Sequence, residues 1–313
     1  MPARRSKGSP VPSAELLDQA SGLRRLLGRQ APFHACAVLG TDPSLKAMAL
    51  ASLAYALARR GESVAVLDEM DSPHNVATQY GLTSRQRLAD LLQGRAMLDK
   101  AMVEAPGGVR LLLTGNVSAV LNRMADPIWD RRLDDLIQVV GNQGWLMVNA
   151  RMDLGPSALA ASCSHRLLVL PDRKSALTEA YALLKSAHQM RPDGRWHVLF
   201  MDQRNPGDTE GLFANLANTA SRFLGVRLEW LGAVPRDEKL AQSMRLMRPL
   251  LEVAPDCPGS LAFKALAESA KAWDAGDAMG VREFWQRTYL LGRLVSDTTH
   301  MKPSDAELDR QYG

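Results

Sequence analysis

From His34 onward the chain alternates short apolar runs with longer segments whose apolar residues recur at helical spacing. The runs His34 to Leu39, Ser63 to Leu67, Arg110 to Leu113, Trp145 to Val148, Arg166 to Leu170, His197 to Met201 and Leu228 to Leu231 read as strands. Between them, Leu45 to Arg60, Leu133 to Val140, Ser175 to Gln189 and Thr209 to Leu224 read as amphipathic helices. This alternation predicts an α/β fold, a mostly parallel sheet with helices on both faces. No repeat period or low-complexity block interrupts it.

The two ends follow other patterns. Residues 1 to 13 are rich in Arg, Ser, Pro and Gly and read as a disordered tail. Ser13 then has the character of an N-cap, with Ala14 to Leu27 helical and Gly28 just beyond. That helix is short and polar, with Leu16, Leu17, Leu23, Leu26 and Leu27 on an incomplete face broken by Gly22, and suits docking better than a core. At the other end, Ser260 to Trp273 and Val281 to Val295 predict two helices joined by a Gly/Asp-rich turn, followed by a polar tail. The expected organisation is a basic tail with a docking helix over 1–30, an α/β domain over 31–273 and a C-terminal amphipathic segment over 274–313.

Composition narrows the function. Six of the 38 basic residues lie in the first 30 positions, against only Glu15 and Asp18. The remainder balances, 32 against 32 (38 − 6 and 34 − 2), so the body lacks the basic face that nucleic-acid binding requires, and no nucleic-acid partner is expected. Cys36, Cys163 and Cys257 have no metal-ligand or CxxC spacing and read as small buried hydrophobes in a reducing cytoplasm. The longest apolar stretch, Ala47 to Ala58, is too short to span a bilayer, and the basic N-terminus runs into Pro10, Pro12 and Glu15 without an apolar signal segment. The histidines are scattered, and neither a Ser/His/Asp nor a Cys/His arrangement is recognisable, which leaves hydrolase and metalloenzyme chemistry without candidates.

Phosphate-binding chemistry is expected between the first strand and its helix, where glycine amides and a helix N-terminus make an anion site. Against GxxxxGK[ST], the stretch Gly40-Thr41-Asp42-Pro43-Ser44-Leu45-Lys46-Ala47 keeps Gly40 and Lys46. Leu45 replaces the second glycine, Ala47 replaces the metal-ligating hydroxyl, Pro43 removes an amide donor and Asp42 adds a negative charge. The second strand ends in Asp68-Glu69-Met70, where Asp68 survives from an Asp-x-Asp arrangement, and the Trp145 strand runs into neutral Asn149 where a metal-anchoring aspartate belongs. Losing hydroxyl, carboxylate and glycine together removes the charge neutralisation and positioning on which phosphoryl transfer depends. Lys46 is retained as a residual phosphate contact, and no catalytic base is assigned.

With these positions in hand, the chain resembles the FlhG/FleN family of MinD/ParA-type flagellar-number regulators across nearly its full length. The resemblance is carried by Ala176 to Lys185, by Phe223 to Val226 with Leu231 to Asp237, and by Arg248 to Leu250 with Pro255 to Ser260. It implies a deviant P-loop NTPase architecture with Gly40, Lys46, Asp68, Gln203, Arg204, Pro235 and Asp237 at a degenerate nucleotide site, where ATP or ADP binding is residual. Gln203-Arg204 stands in place of the family's purine-contacting Asn-Arg pair. Asp18-Gln19-Ala20-Ser21-Gly22-Leu23-Arg24 is similar to the family's DQAxxLR element, which docks on the SRP-type GTPase FlhF and whose glutamine stimulates GTP hydrolysis there. By this likeness Asp18, Gln19, Leu23 and Arg24 are partner-binding residues.

The family also carries a C-terminal amphipathic helix used as a reversible membrane anchor. Here Val281, Phe284, Trp285, Leu291 and Leu294 lie broadly on one side, opposite Arg282, Arg287 and Arg293, and spacing leaves two alternatives open: an anionic membrane surface or the domain's own core. The resemblance implies a cytoplasmic pseudo-ATPase regulator, peripheral at the cell membrane, with an FlhF-type GTPase, flagellar switch or C-ring proteins, flagellar transcription factors and a second copy of itself as partners. An ATPase cycling between monomer and dimer on the membrane is the alternative, and DNA partitioning is disfavoured by the balanced charge.

Overall fold

The computed structural model describes residues 33–140, 144–152, 155–273 and 280–299. The segment expected to form a tail and a docking helix, with Asp18, Gln19, Leu23 and Arg24, lies outside the described residues, as do 274–279 and 300–313.

Eight strands form one sheet: β1 (His34–Gly40), β2 (Val64–Asp68), β3 (Val103–Ala105), β4 (Val109–Leu113), β5 (Trp145–Asn149), β6 (His165–Pro171), β7 (Arg195–Gln203) and β8 (Leu228–Pro235). Their order is β3-β4-β2-β5-β1-β6-β7-β8, with every pairing parallel except β3 against β4. The α/β, mostly parallel architecture expected from the alternating pattern is therefore present. Strand β3 was not anticipated, because three residues of an edge hairpin leave too short a pattern to read.

Thirteen helices connect the strands among the described residues: α1 (Pro43–Arg59), α2 (Val76–Gln79), α3 (Leu88–Leu92), α4 (Leu98–Ala101), α5 (Val117–Asn122), α6 (Asp126–Val140), α7 (Ala158–Ser162), α8 (Ala176–Met190), α9 (Pro206–Leu224), α10 (Glu238–Leu246), α11 (Leu250–Val253), α12 (Pro258–Lys271) and α13 (Val281–Thr299). Helix α1 begins two residues before the expected start, because Pro43 supplies the fixed φ of a first helical position and Asp42 supplies the cap. Likewise α6 starts seven residues before Leu133, since its first turns are polar and hide the helical period.

Strand alternation sorts the core into two layers. Ala35, Ala37 and Leu39 of β1 join the layer roofed by α3, α5 to α9 and α13, whereas Cys36 and Val38 join the layer roofed by α1, α2 and α10 to α12. The same parity governs β2, where Ala65 and Leu67 face the first layer and Val64 and Val66 the second.

The C-terminal helix resolves the alternative left by its spacing for two of its aromatic residues. Phe284 and Trp285 are fully buried, and Phe284 lies edge-on to Phe33 at 6.2 Å. Tyr289 stacks on Trp129 at 4.5 Å and donates its hydroxyl to the Met124 carbonyl at 2.9 Å. Val281 is partly buried against the same layer, Leu291 is half-buried, and Leu294 is 61% exposed. Gly292 is what permits the approach, since a Cβ there would stand 2.8 Å from Leu121 Cβ of α5. Of the two surfaces the spacing left open, Phe284 and Trp285 thus take the core. Among the described residues no helix is long and apolar enough to cross a membrane.

Candidate functional site

The carboxyl ends of parallel strands are where ligands of such sheets gather, and the polar residues singled out from the sequence collect there. Asp42 caps α1, its Oδ1 accepting the Leu45 amide at 3.0 Å. The carboxylate thereby takes the amide that an anion at this helix terminus would need. Ser44 Oγ is 2.9 Å from His74 Nδ1, which ties the loop to the segment after β2. Lys46 is 3% exposed and its Nζ donates to the Ala150 carbonyl at 2.5 Å. Ala47, at the hydroxyl position, is fully buried.

Asp68, at the end of β2, is buried and accepts from three donors: the Val76 amide at 2.5 Å, Asn149 Nδ2 at 2.8 Å and the Met70 amide at 3.1 Å. Burial pushes its carboxyl up to about 6 despite those hydrogen bonds and the nearby Lys46 charge. Asn149 lies level with Asp68 on the adjacent strand, so the side chain read as a neutralised acid acts here as a donor to the surviving one.

Strand pairing continues one residue further, with the Glu69 amide donating to the Asn149 carbonyl at 3.2 Å. Parity then turns Glu69 to the other face of the sheet from Asp68. Its Oε2 accepts the Arg151 amide at 3.0 Å. Burial pushes this carboxyl up to about 7, against the Ser157 hydroxyl, the Arg151 amide and the charges of Lys46 and Arg151. Arg151 also donates from Nε and Nη2 to the Glu69 carbonyl and from Nη2 to Asp71 at 2.5 Å, and Arg87 reaches the other oxygen of Asp71 at 3.2 Å.

Gln203, Arg204, Pro235 and Asp237 cluster separately, at the ends of β7 and β8. Gln203 lies beside Pro235 in the pairing and accepts the Arg236 amide at 2.9 Å. The Arg204 amide donates to Asp172, and Asp237 caps α10 while also accepting the Gly259 amide at 3.1 Å. Gly40 sits between the groups, its Cα so close to β6 that a Cβ would meet the Val169 carbonyl oxygen at 2.8 Å.

Magnesium-loaded triphosphate does not fit the first cluster. Its helix terminus carries an internal carboxylate, position 47 has no side-chain oxygen, and Asp68 already accepts from three protein donors. Among the described residues no three His, Cys, Asp or Glu side chains form a metal-binding group. Cys36 and Cys163 are buried as expected, with burial pushing the Cys36 thiol up to about 12, and Cys257 is half-buried as the cap of α12.

Comparison with known proteins decides the lineage. The antiactivator FleN of Pseudomonas aeruginosa is 30% identical over 250 residues, covering 79% of this chain and 89% of that protein. The chain belongs to the FlhG/FleN family. Within the same MinD/ParA class, the flagellum site-determining protein YlxH of Helicobacter pylori is 24% identical over 66% of this chain and 70% of that protein. The MinD cell division protein of Aquifex aeolicus superposes with a TM-score of 0.58 at 18% identity, over 77% of this chain and 98% of that one. MinD of Pyrococcus furiosus gives 0.57 at 20% identity, over 76% and 99%. At those identities the structural likeness shows the MinD-like P-loop NTPase fold. No protein-family model matches.

Glu69, Asp71, Arg87 and Arg151 received no role from the sequence. They are spread over some 80 positions, and only the parity of β2 together with the pairing of β2 to β5 would have assembled them.

Proposed function

We propose that this chain regulates flagellar number or placement without hydrolysing ATP, as a scaffold that works through partner contacts. Its relatives support the flagellar role: one is named an antiactivator and another a flagellum site-determining protein. The observation that carries the pseudo-ATPase part is the Asp42 carboxylate seated on the Leu45 amide, above a buried alanine where a metal-ligating hydroxyl belongs. Gly40, Lys46 and Asp68 are remnants of the nucleotide site, and Gln203, Arg204, Pro235 and Asp237 of its purine side.

The N-terminal helix is the effector in this proposal. Gln19 orients an attacking water in an FlhF-type GTPase, with Asp18, Leu23 and Arg24 fixing the register. The body contacts flagellar switch proteins or transcription factors. On α13, Leu290 and Leu294 are the exposed apolar residues open to a membrane surface, since Phe284 and Trp285 are committed to the core.

Two measurements test the proposal. Calorimetry of the full chain with ATP and Mg²⁺ is expected to show no saturable heat, whereas tight binding abolished by Lys46→Ala identifies an ATP-switched protein. The full chain is expected to accelerate GTP hydrolysis by an FlhF-type GTPase, and retention of that effect in Gln19→Ala removes the effector assignment.

A further inference from the structure

A cleft of about 960 Å³ runs between α3, α5 and α6, in the layer of the sheet away from α1. The overall charge balance of the body conceals a local imbalance there. Arg87, Arg95, Arg123, Arg131 and Arg132 line the cleft, and Asp90 is the carboxylate among them. Three of the five arginines have an acidic neighbour: Arg87 meets Asp71 at 3.2 Å, Arg95 meets Asp90 at 2.8 Å and Arg132 meets Asp135 at 3.3 Å. The Arg123 guanidinium, by contrast, has no hydrogen bond or ion pair among the described residues. Arg131 engages only its Nε, which donates to the Pro127 carbonyl at 3.1 Å. Guanidiniums stay charged at any physiological pH, so this excess of two is fixed.

Helical spacing creates the imbalance. On α6, Ile128, Arg131 and Arg132 share one side, as residues three and four apart do. Asp126 and Asp134 share another, with Asp130 midway between them, and meet Arg293 and Arg282 of α13 at 2.6 and 2.7 Å. Packing of α13 thus draws those acids away and leaves the arginines to the cleft. Gly94 lets one of them approach: its φ is +73°, and a Cβ there would stand 2.6 Å from Arg132 Nη2.

Between the charges the surface is apolar. Met124 is buried, Val120 is half-buried and Ile128 is 41% exposed. No aromatic ring lines the cleft among the described residues, so a nucleic-acid base has nothing to stack on.

We infer that this cleft is a docking surface for an acidic, leucine-containing segment of a partner protein, whose carboxylates meet Arg123 and Arg131 while an apolar side chain covers Ile128. Arginine clusters grip acidic motifs because the guanidinium fork matches a carboxylate, and the long arginine stems add apolar contact beneath it. The surface uses neither the nucleotide site nor the N-terminal helix, so the flagellar reading can fail while it stands, and the reverse.

The experiment is fluorescence anisotropy of a labelled synthetic peptide of repeated Glu-Glu-Leu, titrated with the full chain at low, fixed ionic strength. Saturable binding is expected, and the same peptide with Gln in place of Glu is expected not to saturate. Arg123→Glu, which breaks no contact within the described fold, is expected to weaken binding about tenfold, and Ile128→Ser about threefold. Arg222→Glu, an equal charge reversal on α9, is expected to leave the affinity unchanged. Should Arg123→Glu prove poorly folded by circular dichroism, Arg131→Gln decides, through a weaker affinity. Absence of saturable binding overturns the inference, as does undiminished binding in folded Arg123→Glu, an equal loss in Arg222→Glu or equal binding of the Gln peptide. Tighter binding of duplex DNA or of phosphatidylglycerol vesicles than of the peptide, lost in Arg123→Glu, also overturns it and reassigns the cleft to a nucleic acid or a membrane.

Discussion

The two ends of the sheet handle buried polar groups in opposite ways. At the carboxyl ends, Lys46, Asp68 and Glu69 are buried as ionisable groups and held by backbone amides and each other's charges. At the amino ends, His34, His165 and His197 are buried among rings. His34 stacks on Trp145 at 4.5 Å, and His197 stacks on Trp273 at 3.7 Å with its Nε2 3.1 Å from His165 Nδ1. A neutral His197 protonated on Nδ1 serves both that contact and Glu229, 3.3 Å away. The lesson is topological. Strand-end amides at the carboxyl side partly offset the burial of negative charge, whereas at the aromatic end burial and the His165 and Arg195 charges together disfavour a charged His197.

The largest effect expected from breaking this contrast is at the aromatic end. Trp145 is buried between His34 and the edge of Trp273, so Trp145→Ala should cost about 3–5 kcal/mol in urea denaturation. A loss below about 1 kcal/mol would mean that the stack is packing around a gap.

Acid sharpens the comparison next. Burial, with help from the His165 and Arg195 charges, pushes His197 down from 6.5 to about 3. The sign follows from proton counting: between those values the unfolded chain binds a proton that the folded chain refuses. Stability contributed by the neutral ring is therefore full above about 6.5 and lost as pH falls towards 3, by a few kcal/mol in all. His197→Gln should flatten that acid limb, measured as midpoint against pH, and an unaltered slope would assign the limb to other groups.

Glu69 has the opposite sign. Its folded value lies above the ordinary 4.5, at about 7, so the folded chain holds the extra proton and wild-type stability declines as pH rises through that window. Glu69→Gln removes the penalty. It should be indistinguishable from wild type below about 4.5 and more stable by about 2–3 kcal/mol above 7. A constant offset at all pH values would contradict the proton-linked origin.

This contrast also separates what was legible in the sequence from what was not. Apolar runs such as Cys36 to Leu39 declare strands because both faces are covered, and Lys46 and Asp68 stood at known offsets from them. The His and Trp residues of the stack were not legible as a group, because each lies near the start of a different strand or the end of a helix and only lateral register joins them. Glu69 was hidden for a similar reason: burial, which raises its proton affinity, is a property of α7 and the Arg151 loop as much as of its own strand. The C-terminal helix showed its apolar face plainly. Which surface that face would meet depended on Phe33, Trp129 and Leu121, residues far away in the chain.

The smallest effect is the one closest to function. Removing the Asp42 cap in Asp42→Ala leaves the Leu45 amide without its partner and should cost about 1 kcal/mol, a loss that Asp42→Ser largely restores because serine also caps. The two variants diverge in charge from the parent in the same way, which makes the pair informative. If the carboxylate alone repels phosphate from this helix terminus, both should gain weak ATP affinity in calorimetry. If the missing glycine at Leu45 and the proline at 43 matter more, neither variant gains any, and only the further change Leu45→Gly admits the nucleotide. Mg²⁺ dependence should stay absent in all of them, because buried Ala47 still offers no oxygen; a magnesium requirement in Asp42→Ala would show that another residue holds the metal.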